Sequence, residues 1–387
     1  MPASMAAFAI GPMTRAIDMG DVHEIAAHTS EYVFPALLGA MGLRESVTGK
    51  EFITAFVVGE EVILRVGEAF REVEINTKGV GSGYAIFGPV AAVGKLLELN
   101  LEELKNAMGM AVGMTQPHNM LLYSQACHMP RVHHGFIAQD SINICLLAKR
   151  GVTGPHNIML GPRGYSRMFD RVIGDPDKLT LDLGLDWRFL STMMKPYPSC
   201  KCTHAACDGI IALMDEHDFG AKDIDRIEVD VSSINYAIAC EPKELKWNPM
   251  TTPECQFSLP YTMAVAALDG RVFLDSYTQE VKTRKDVREL MTKIAASEEK
   301  KLLPFSSRVN VILNDGRKVI KEVQIVKGHP KNPFTLEELV AKFKQMIPYS
   351  AYHIPEETVN SIIERILKLE KIDDVVEALI VPLTPYR

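Results

Sequence analysis

The chain has 387 residues, of which 47% are hydrophobic and 24% are charged, and its formal net charge is −7. At about 100–200 residues per domain, this length predicts two globular domains. The excess of acidic side chains argues against nucleic acid as a partner. The longest apolar run, residues 33–43, is shorter than the ~20 residues that span a bilayer, so no membrane partner is expected. Seven irregularly spaced cysteines and no signal peptide predict reduced thiols and a cytoplasmic location.

Helical periodicity dominates the first half of the chain. Capping boxes, in which a polar residue is followed three residues later by glutamate, mark two helix starts. Apolar residues then recur every three to four positions. The predicted helices begin at Thr48 and Asn100, with two more at 89–99 and at 133–150, the last one stopped by Gly151.

Alternating apolar and polar residues, typical of strands, first occur after about residue 190. The predicted strands are 226–231, 308–311 and 319–326, the last two joined by a turn at 314–317. Helical patterns lie between them at 205–214, 261–268 and 286–296, and helix returns after residue 330 with a capping box at Thr335. The layout predicts a mainly α fold, in which a large all-helical domain (1–194 plus 331–387) is interrupted by a smaller α+β lid domain (195–330).

The first group of candidate functional residues is Asp18, Asp21, His23 and His28, which fall within eleven residues. Neighbouring carboxylates and imidazoles can act as acid and base or as metal ligands. The same residues also suit a solvated loop in which Asp21 and Ser30 cap the following helix. The local sequence leaves both interpretations open.

A glycine-rich stretch, Gly79–Gly83, follows residues 71–75 and resembles the start of a dinucleotide fold. The fingerprint requires a third glycine at position 84, which is tyrosine here. A flexible loop bordering a cleft is therefore the preferred interpretation.

Arg131, His133 and His134 lie near a predicted helix start, where free backbone N–H groups favour a bound carboxylate. Structural histidines are the alternative. Further along, Lys195 precedes a stiff Pro-Tyr-Pro segment at the presumed domain junction. Clefts between domains concentrate ligand sites, so Lys195 could pair with a substrate carboxylate or act as a base, although an ordinary surface lysine fits equally.

Cysteine and histidine are dense at residues 200–207, where Cys200, Cys202, His204 and Cys207 occur together. These are zinc-ligand types, but the spacing is not that of a zinc finger or ribbon. Reduced thiols in a core are therefore the default expectation.

Several of these stretches together resemble the MmgE/PrpD family, which includes 2-methylcitrate dehydratase, cis-aconitate decarboxylase and iminodisuccinate epimerase. The similarity extends over essentially the whole chain. The matching segments are Lys-Pro-Tyr-Pro-Ser-Cys at 195–200 with the following residues to 206, Gln-Phe-Ser-Leu-Pro-Tyr at 256–261, Arg-Val-His-His-Gly at 131–135 leading to 148–155, the Asp-rich stretch at 18–30, and Gly-His-Pro-Lys-Asn-Pro at 328–333.

The resemblance implies a large helical domain with an inserted α+β lid, a homodimer, a small carboxylate substrate, and no metal or organic cofactor. It also implies a set of site residues. Asp18, His28, Lys195 and Tyr261 correspond to catalytic positions, and Arg131, His133, Ser82, His204 and Gln256 to substrate-binding positions.

For the reaction, the resemblance implies a lyase that dehydrates a small di- or tricarboxylate such as 2-methylcitrate. Epimerisation of an amino-dicarboxylate such as iminodisuccinate, decarboxylation of a cis-aconitate-type substrate, and an inactive carboxylate binder are the alternatives. The chain departs from the family pattern at three polar positions: residues 78–83 lack a histidine, and Pro130 and Val22 replace a basic residue and a threonine. The helices that usually open the family's domain are also not seen ahead of the Asp-rich stretch.

Overall fold

A computed structural model describes residues 1–25, 28–70, 83–115, 125–165 and 175–384. It contains one helical core and one mixed core, so the expected mainly α fold with a smaller α+β part is confirmed. Across these ranges, no helix is long and apolar enough to cross a membrane.

Six helices build the first core. They are α1 (Ala3–Arg15), α2 (Ser30–Met41), α3 (Gly49–Phe70), α4 (Phe87–Leu96), α5 (Leu101–Gly113) and α6 (Met129–Lys149). The two predicted capping boxes are present: the Thr48 backbone N–H donates to Glu51 at 2.8 Å, and Asn100 accepts from the Glu103 backbone N–H at 3.0 Å. The predicted helix starts are therefore confirmed.

Close packing of α1 against α6 fixes the position of the α1 C-terminus. A Cβ atom on Gly11 would lie 2.4 Å from the Gly135 Cα, so only glycine permits this approach. Arg15, one turn further along α1, is thereby held beside the first turn of α6, which carries Arg131.

A four-stranded sheet with the order β4-β3-β5-β6 forms the centre of the second core. The strands are β3 (Ile224–Val231), β4 (Ile294–Glu298), β5 (Ser307–Leu313) and β6 (Lys318–Val323). The helices of this part are α7 (His204–His217), α8 (Ser233–Ala239), α9 (Lys243–Trp247), α10 (Thr252–Gln256), α11 (Leu259–Asp269), α12 (Gln279–Thr283) and α13 (Lys285–Thr292). The predicted hairpin is confirmed, with β5 antiparallel to β6 and Ser307 paired with Val323.

Several predicted boundaries are wrong. The helix expected at 89–99 ends at Leu96, and the helix expected from His133 begins at Met129. Two more lie in the second core. The helix expected to end at Ala296 ends at Thr292, because residues 294–298 pair in parallel with β3, and this long-range pairing overrides local helical periodicity. The strand expected to reach Val326 ends at Val323, where its pairing with β5 stops.

The C-terminal part returns to helix with α14 (Leu336–Met346) and α15 (Glu356–Ile366), followed by the π-helical turn Val376–Ile380. Short 3₁₀ turns complete the description: Gly83–Ile86, Pro176–Leu179, Arg188–Ser191, Lys201–Thr203, Ala221–Asp223, Leu274–Tyr277, Ile347–Tyr349, Leu369–Lys371 and Val381–Leu383. The limits proposed for the two domains, at residues 194/195 and 330/331, stay a prediction.

A two-stranded ribbon joins segments that are far apart in the chain. It pairs β1 (Asp21–Val22) antiparallel with β2 (Met193–Met194). Gly328 stabilises the ribbon, since its carbonyl accepts a hydrogen bond from the Met194 backbone N–H at 3.0 Å. Lys342 on α14 adds a second support by donating to the carbonyl of Lys195 at 2.7 Å. The ribbon therefore holds Asp18, which precedes β1, close to Lys195, which follows β2.

Candidate active site

A buried ion pair lies at the end of the ribbon. The Lys195 Nζ is 2.8 Å from Asp18 Oδ1, and both residues are at most 1% exposed. Lys195 also donates to the backbone carbonyl of Asp18 at 3.2 Å. The structure thus brings together two of the residues predicted to be catalytic.

Arg15 is the second cation at Asp18. Its Nη1 atom lies 2.7 Å from Asp18 Oδ1. Burial would raise the pKa of Asp18, but the charges of Arg15 and Lys195 outweigh burial, so the pKa lies below its usual value. Asp18 is therefore a permanent carboxylate at neutral pH and acts as a counter-ion.

His28 and Glu31 face the same guanidinium. The Arg15 Nη1 lies 2.9 Å from His28 Nδ1 and 3.0 Å from Glu31 Oε2. Burial, and then the positive charges of Arg15 and Lys195, lower the pKa of His28 well below its usual range, so its imidazole is neutral. Burial raises the pKa of Glu31 to about 7, although the same two cations oppose it. Glu31 therefore exchanges a proton near neutral pH.

Asp21 is occupied as a helix cap. Its carboxylate accepts hydrogen bonds from the Ser30 hydroxyl, from the Ser30 backbone N–H and, at 3.2 Å, from the Thr29 hydroxyl. Asp21 therefore caps the helix as predicted, whereas Ser30 does not, because it is the first helical residue and its hydroxyl donates to Asp21. The solvated loop is also wrong, because Asp18 and His23 are buried. The His23 Nε2 lies 2.9 Å from the Ser191 hydroxyl, which draws this histidine away from the ion pair.

Arg131 and Gln256, both predicted to bind substrate, contact each other. The Arg131 Nη2 donates to the Gln256 side-chain oxygen, and Gln256 in turn donates to the carbonyls of Ile17 at 3.2 Å and Pro198 at 2.9 Å. Gln256 thus joins the end of α1, α6 and the segment after Lys195. A narrow cavity of about 10 Å³, enough for about one water molecule, lies between Arg131 and the Arg15–Asp18 pair.

Three of the other predicted site residues are buried side chains. His133 is buried on α6, where burial lowers its pKa to about 4. His204 is fully buried, and its Nε2 lies 3.2 Å from the Ser199 carbonyl. Tyr261 is buried in the second core and donates its hydroxyl proton to the Ser276 carbonyl at 2.6 Å. Ser82 and the glycine-rich loop at 79–82 lie outside the described residues.

Two members of the cluster, Arg15 and Glu31, were not predicted from the sequence. Each is the only charged residue of an otherwise apolar helix, α1 and α2 respectively. Charged side chains are seldom fully buried unless they are paired, so an isolated charge within an apolar helix was the available signal.

The cysteines are free thiols throughout the chain, and six of the seven are buried. Within the described ranges, no three His, Cys, Asp or Glu side chains are placed to hold a metal ion. In the segment at 200–207, Cys200, Cys202 and Cys207 are buried free thiols, which is the arrangement expected of core cysteines.

Comparison with known proteins agrees with this architecture. The MmgE/PrpD N-terminal domain matches residues 1–175, and the MmgE/PrpD C-terminal domain matches residues 197–369. The chain belongs to the MmgE/PrpD family. Lys195 lies between the two matches, whereas Asp18 and Arg131 lie in the first and Gln256 in the second, so the candidate site uses residues from both family domains.

Three curated family members illustrate the similarity. The cis-aconitate decarboxylase-like protein oryM of Aspergillus oryzae is 28% identical over 399 residues, which covers 97% of this chain and 81% of the relative. The cis-aconitate decarboxylases of Mus musculus and Homo sapiens are each 24% identical and cover 97% of this chain, with 77% and 78% of their own lengths matched. The named relatives are thus decarboxylases or decarboxylase-like.

Proposed function

We propose that this protein is a lyase that acts on a small di- or tricarboxylate. The observation that carries the proposal is the buried cluster in which Arg15, Lys195 and Asp18 adjoin a neutral imidazole, His28, with Arg131 across a narrow cavity. Perturbed titratable groups gathered in one buried site are typical of proton-transfer enzymes.

The cations suit a substrate carboxylate. When a proton or CO₂ leaves the carbon beside a carboxylate, negative charge spreads onto the carboxylate oxygens, and nearby ammonium and guanidinium groups stabilise it. Lys195 and Arg131 are the proposed anchors. Because the cavity at Arg131 holds only about one water molecule, substrate must take the place of Gln256 on the guanidinium.

His28 is the proposed proton-transfer group. Asp18 is held as a carboxylate by two cations, so it orients Lys195 and does not supply a proton. Tyr261 is proposed as a proton donor from the family resemblance alone, and its hydrogen bond to Ser276 must break before it can serve.

Decarboxylation of a cis-aconitate-type substrate is the reaction we place first. The bond to CO₂ breaks, its electron pair is stabilised by the remaining carboxylates, and His28 passes one proton to the carbon as its other ring nitrogen gains one. A single proton-transfer group suffices for this reaction, and the named relatives are cis-aconitate decarboxylases or similar to them. Dehydration of 2-methylcitrate, expected from the sequence, also requires protonation of a leaving hydroxyl group and is the second candidate.

A substrate panel tests the proposal. Purified protein is incubated with cis-aconitate, 2-methylcitrate, citrate and iminodisuccinate, and products are identified by NMR. Release of CO₂ supports decarboxylation, and loss of water supports dehydration. Thermal stabilisation by these compounds without any product would refute the enzyme and indicate a carboxylate binder.

Variants then test the roles of the residues. We expect Lys195→Met and His28→Gln each to lower kcat/KM by about 10²–10³-fold, the usual loss when a charge-stabilising or proton-transfer group is removed. Lys246→Met is the matched control, because it also removes a buried lysine but lies in the second core. Equal losses in Lys246→Met and Lys195→Met would show that the effect is structural.

Several expectations from the sequence stay predictions. They are the homodimer, the cytoplasmic location and the epimerase alternative. Epimerisation would be recognised by solvent deuterium at Cα of recovered substrate without elimination.

A further inference from the structure

The Nδ1 atom of His28 lies within hydrogen-bond distance of one donor and one acceptor. The Arg15 Nη1, which can only donate, lies 2.9 Å away, and the Asp21 backbone carbonyl, which can only accept, also lies 2.9 Å away. A neutral imidazole can satisfy one of them at a time. If Nδ1 carries the proton, it donates to Asp21 and leaves Nε2 as a base; if Nε2 carries the proton, Nδ1 accepts from Arg15 and Nε2–H is an acid.

The Arg15 Nη1 atom has two hydrogens and three acceptors. Two of these acceptors are carboxylates and one is the imidazole: Asp18 Oδ1 lies at 2.7 Å, Glu31 Oε2 and Oε1 lie at 3.0 and 3.1 Å, and His28 Nδ1 lies at 2.9 Å. Two carboxylates attract both hydrogens more strongly than a neutral nitrogen does. A neutral Glu31 competes far less, which releases one hydrogen to His28.

We propose that Glu31 and Arg15 are positioning residues that decide which ring nitrogen of His28 carries the proton. An ionised Glu31 selects the basic form with the proton on Nδ1. A protonated Glu31 selects the acidic form with the proton on Nε2.

The proposal also gives the proton a path that keeps His28 neutral between steps, and this part rests on the proposed function. When His28 Nε2 takes a proton from the substrate, the bond between Nδ1 and its own proton breaks, and that proton moves to Glu31 Oε2 once this oxygen, 3.7 Å from Nδ1 in the substrate-free structure, comes within hydrogen-bond distance. Nδ1, now without a proton, then accepts a hydrogen bond from Arg15. The reverse transfer delivers a proton to substrate carbon, as decarboxylation requires.

His134 also faces Glu31. Its Nδ1 lies 2.7 Å from the Pro130 carbonyl and donates to it, which places Nε2 3.6 Å from Glu31 Oε2. Burial raises the pKa of Glu31 to about 7, which places the change of form near neutral pH. The other charged or titratable groups that act on this pair are Arg15 and Asp18 near the end of α1, Asp21 in β1, Arg131 on α6, and Lys195.

Nitrogen NMR of substrate-free protein tests the inference. Protein labelled with ¹⁵N in its eleven histidines is titrated between about pH 5.5 and 8.5, and the His28 signals are assigned as those missing from His28→Gln. The chemical shifts of the two ring nitrogens distinguish both tautomers from the imidazolium. We expect His28 to remain neutral and to change from the Nε2–H form to the Nδ1–H form as the pH rises through about 7.

Two variants should fix opposite forms. Glu31→Gln removes the competing carboxylate, so His28 should stay in the Nε2–H form at every pH. Arg15→Met removes the donor, so His28 should stay in the Nδ1–H form. Glu60→Gln is the control: Glu60 is equally buried, and burial also raises its pKa, but the groups that act on it are Asp21, Thr29 and Glu61, so the wild-type change should persist.

A His28 that becomes imidazolium in this range, or that keeps one tautomer in wild type throughout, would overturn the inference. So would a pH profile of Glu31→Gln that matches wild type. If Arg15→Met does not fold, the wild-type titration and Glu31→Gln still decide. Because no substrate is present, failure of the substrate panel would refute the proposed lyase and leave this result unaffected.

Discussion

Gly328 gives the most direct test of how the ribbon is supported. Its φ angle is +86°, and a Cβ atom there would lie 1.9 Å from the Met194 carbonyl oxygen. Gly316, in the β5–β6 turn, has the same φ of +86° but no atom within 4 Å of its would-be Cβ. The pair therefore separates the cost of the backbone angle from the cost of the contact.

The expected magnitudes follow from that geometry. An L-residue in the left-handed region costs about 1–2 kcal/mol, so Gly316→Ala should lose that much. Gly328→Ala adds a backbone clash, and overpacking of this kind costs about 1–3 kcal/mol more. We therefore expect Gly328→Ala to lose roughly 2–5 kcal/mol of unfolding free energy.

Urea unfolding followed by circular dichroism measures both variants, and kcat/KM is measured on the substrate found in the panel. Displacement of Met194 also displaces Lys195, so activity should fall in Gly328→Ala and persist in Gly316→Ala. If the two variants agree within about 0.5 kcal/mol and in activity, the close contact between Gly328 and Met194 does not exist in solution.

Three further predictions concern buried charges. Burial raises the pKa of Glu31 from about 4.5 in the unfolded chain to about 7, so the stability that its proton contributes is present below pH 4.5 and is lost as the pH rises through 7. Across that window the unfolding free energy of Glu31→Gln should rise relative to that of wild type by up to roughly 3 kcal/mol, and parallel pH profiles would contradict this. Lys246 is fully buried, its Nζ has no hydrogen-bond partner among the described residues, and burial lowers its pKa to about 8. Lys246→Met should therefore raise the unfolding free energy at pH 7 by about 1–3 kcal/mol, and a lower unfolding free energy in urea would refute this prediction. Lys342→Met leaves the Lys195 carbonyl without its hydrogen-bond donor, so the unfolding free energy should fall by about 1–3 kcal/mol and kcat should fall with it. Unchanged values of both would show that the ribbon does not need the hydrogen bond from Lys342.

Much of the fold was predictable because its signals are local. Capping boxes at Thr48, Asn100 and Thr335 mark helix starts through contacts three residues apart, and all three are present. Strand β4 was missed because its parallel pairing with β3 is a long-range contact that leaves little trace in a five-residue segment. The ribbon strands β1 and β2 have two residues each, too few for any periodicity.

The candidate site was predictable in part. Family resemblance pointed to Asp18 and Lys195, which the structure joins directly. Arg15 and Glu31 were not predicted, because an isolated charge within an apolar helix indicates only that the charge needs a partner, and the partner depends on the packing of α1, α2 and α6. Tyr261 corresponds to a family position, but its described hydrogen bond is directed into the second core.

The ribbon also bears on how the protein reaches activity during folding. Asp18 and Lys195 are separated by 177 positions in the chain, and the ribbon that pairs their segments contains four residues. Closing so large a loop is slow compared with forming the local helices that flank it. During refolding, helical circular dichroism should therefore recover before the Lys195–Asp18 contact forms, and enzymatic activity should return in a later phase.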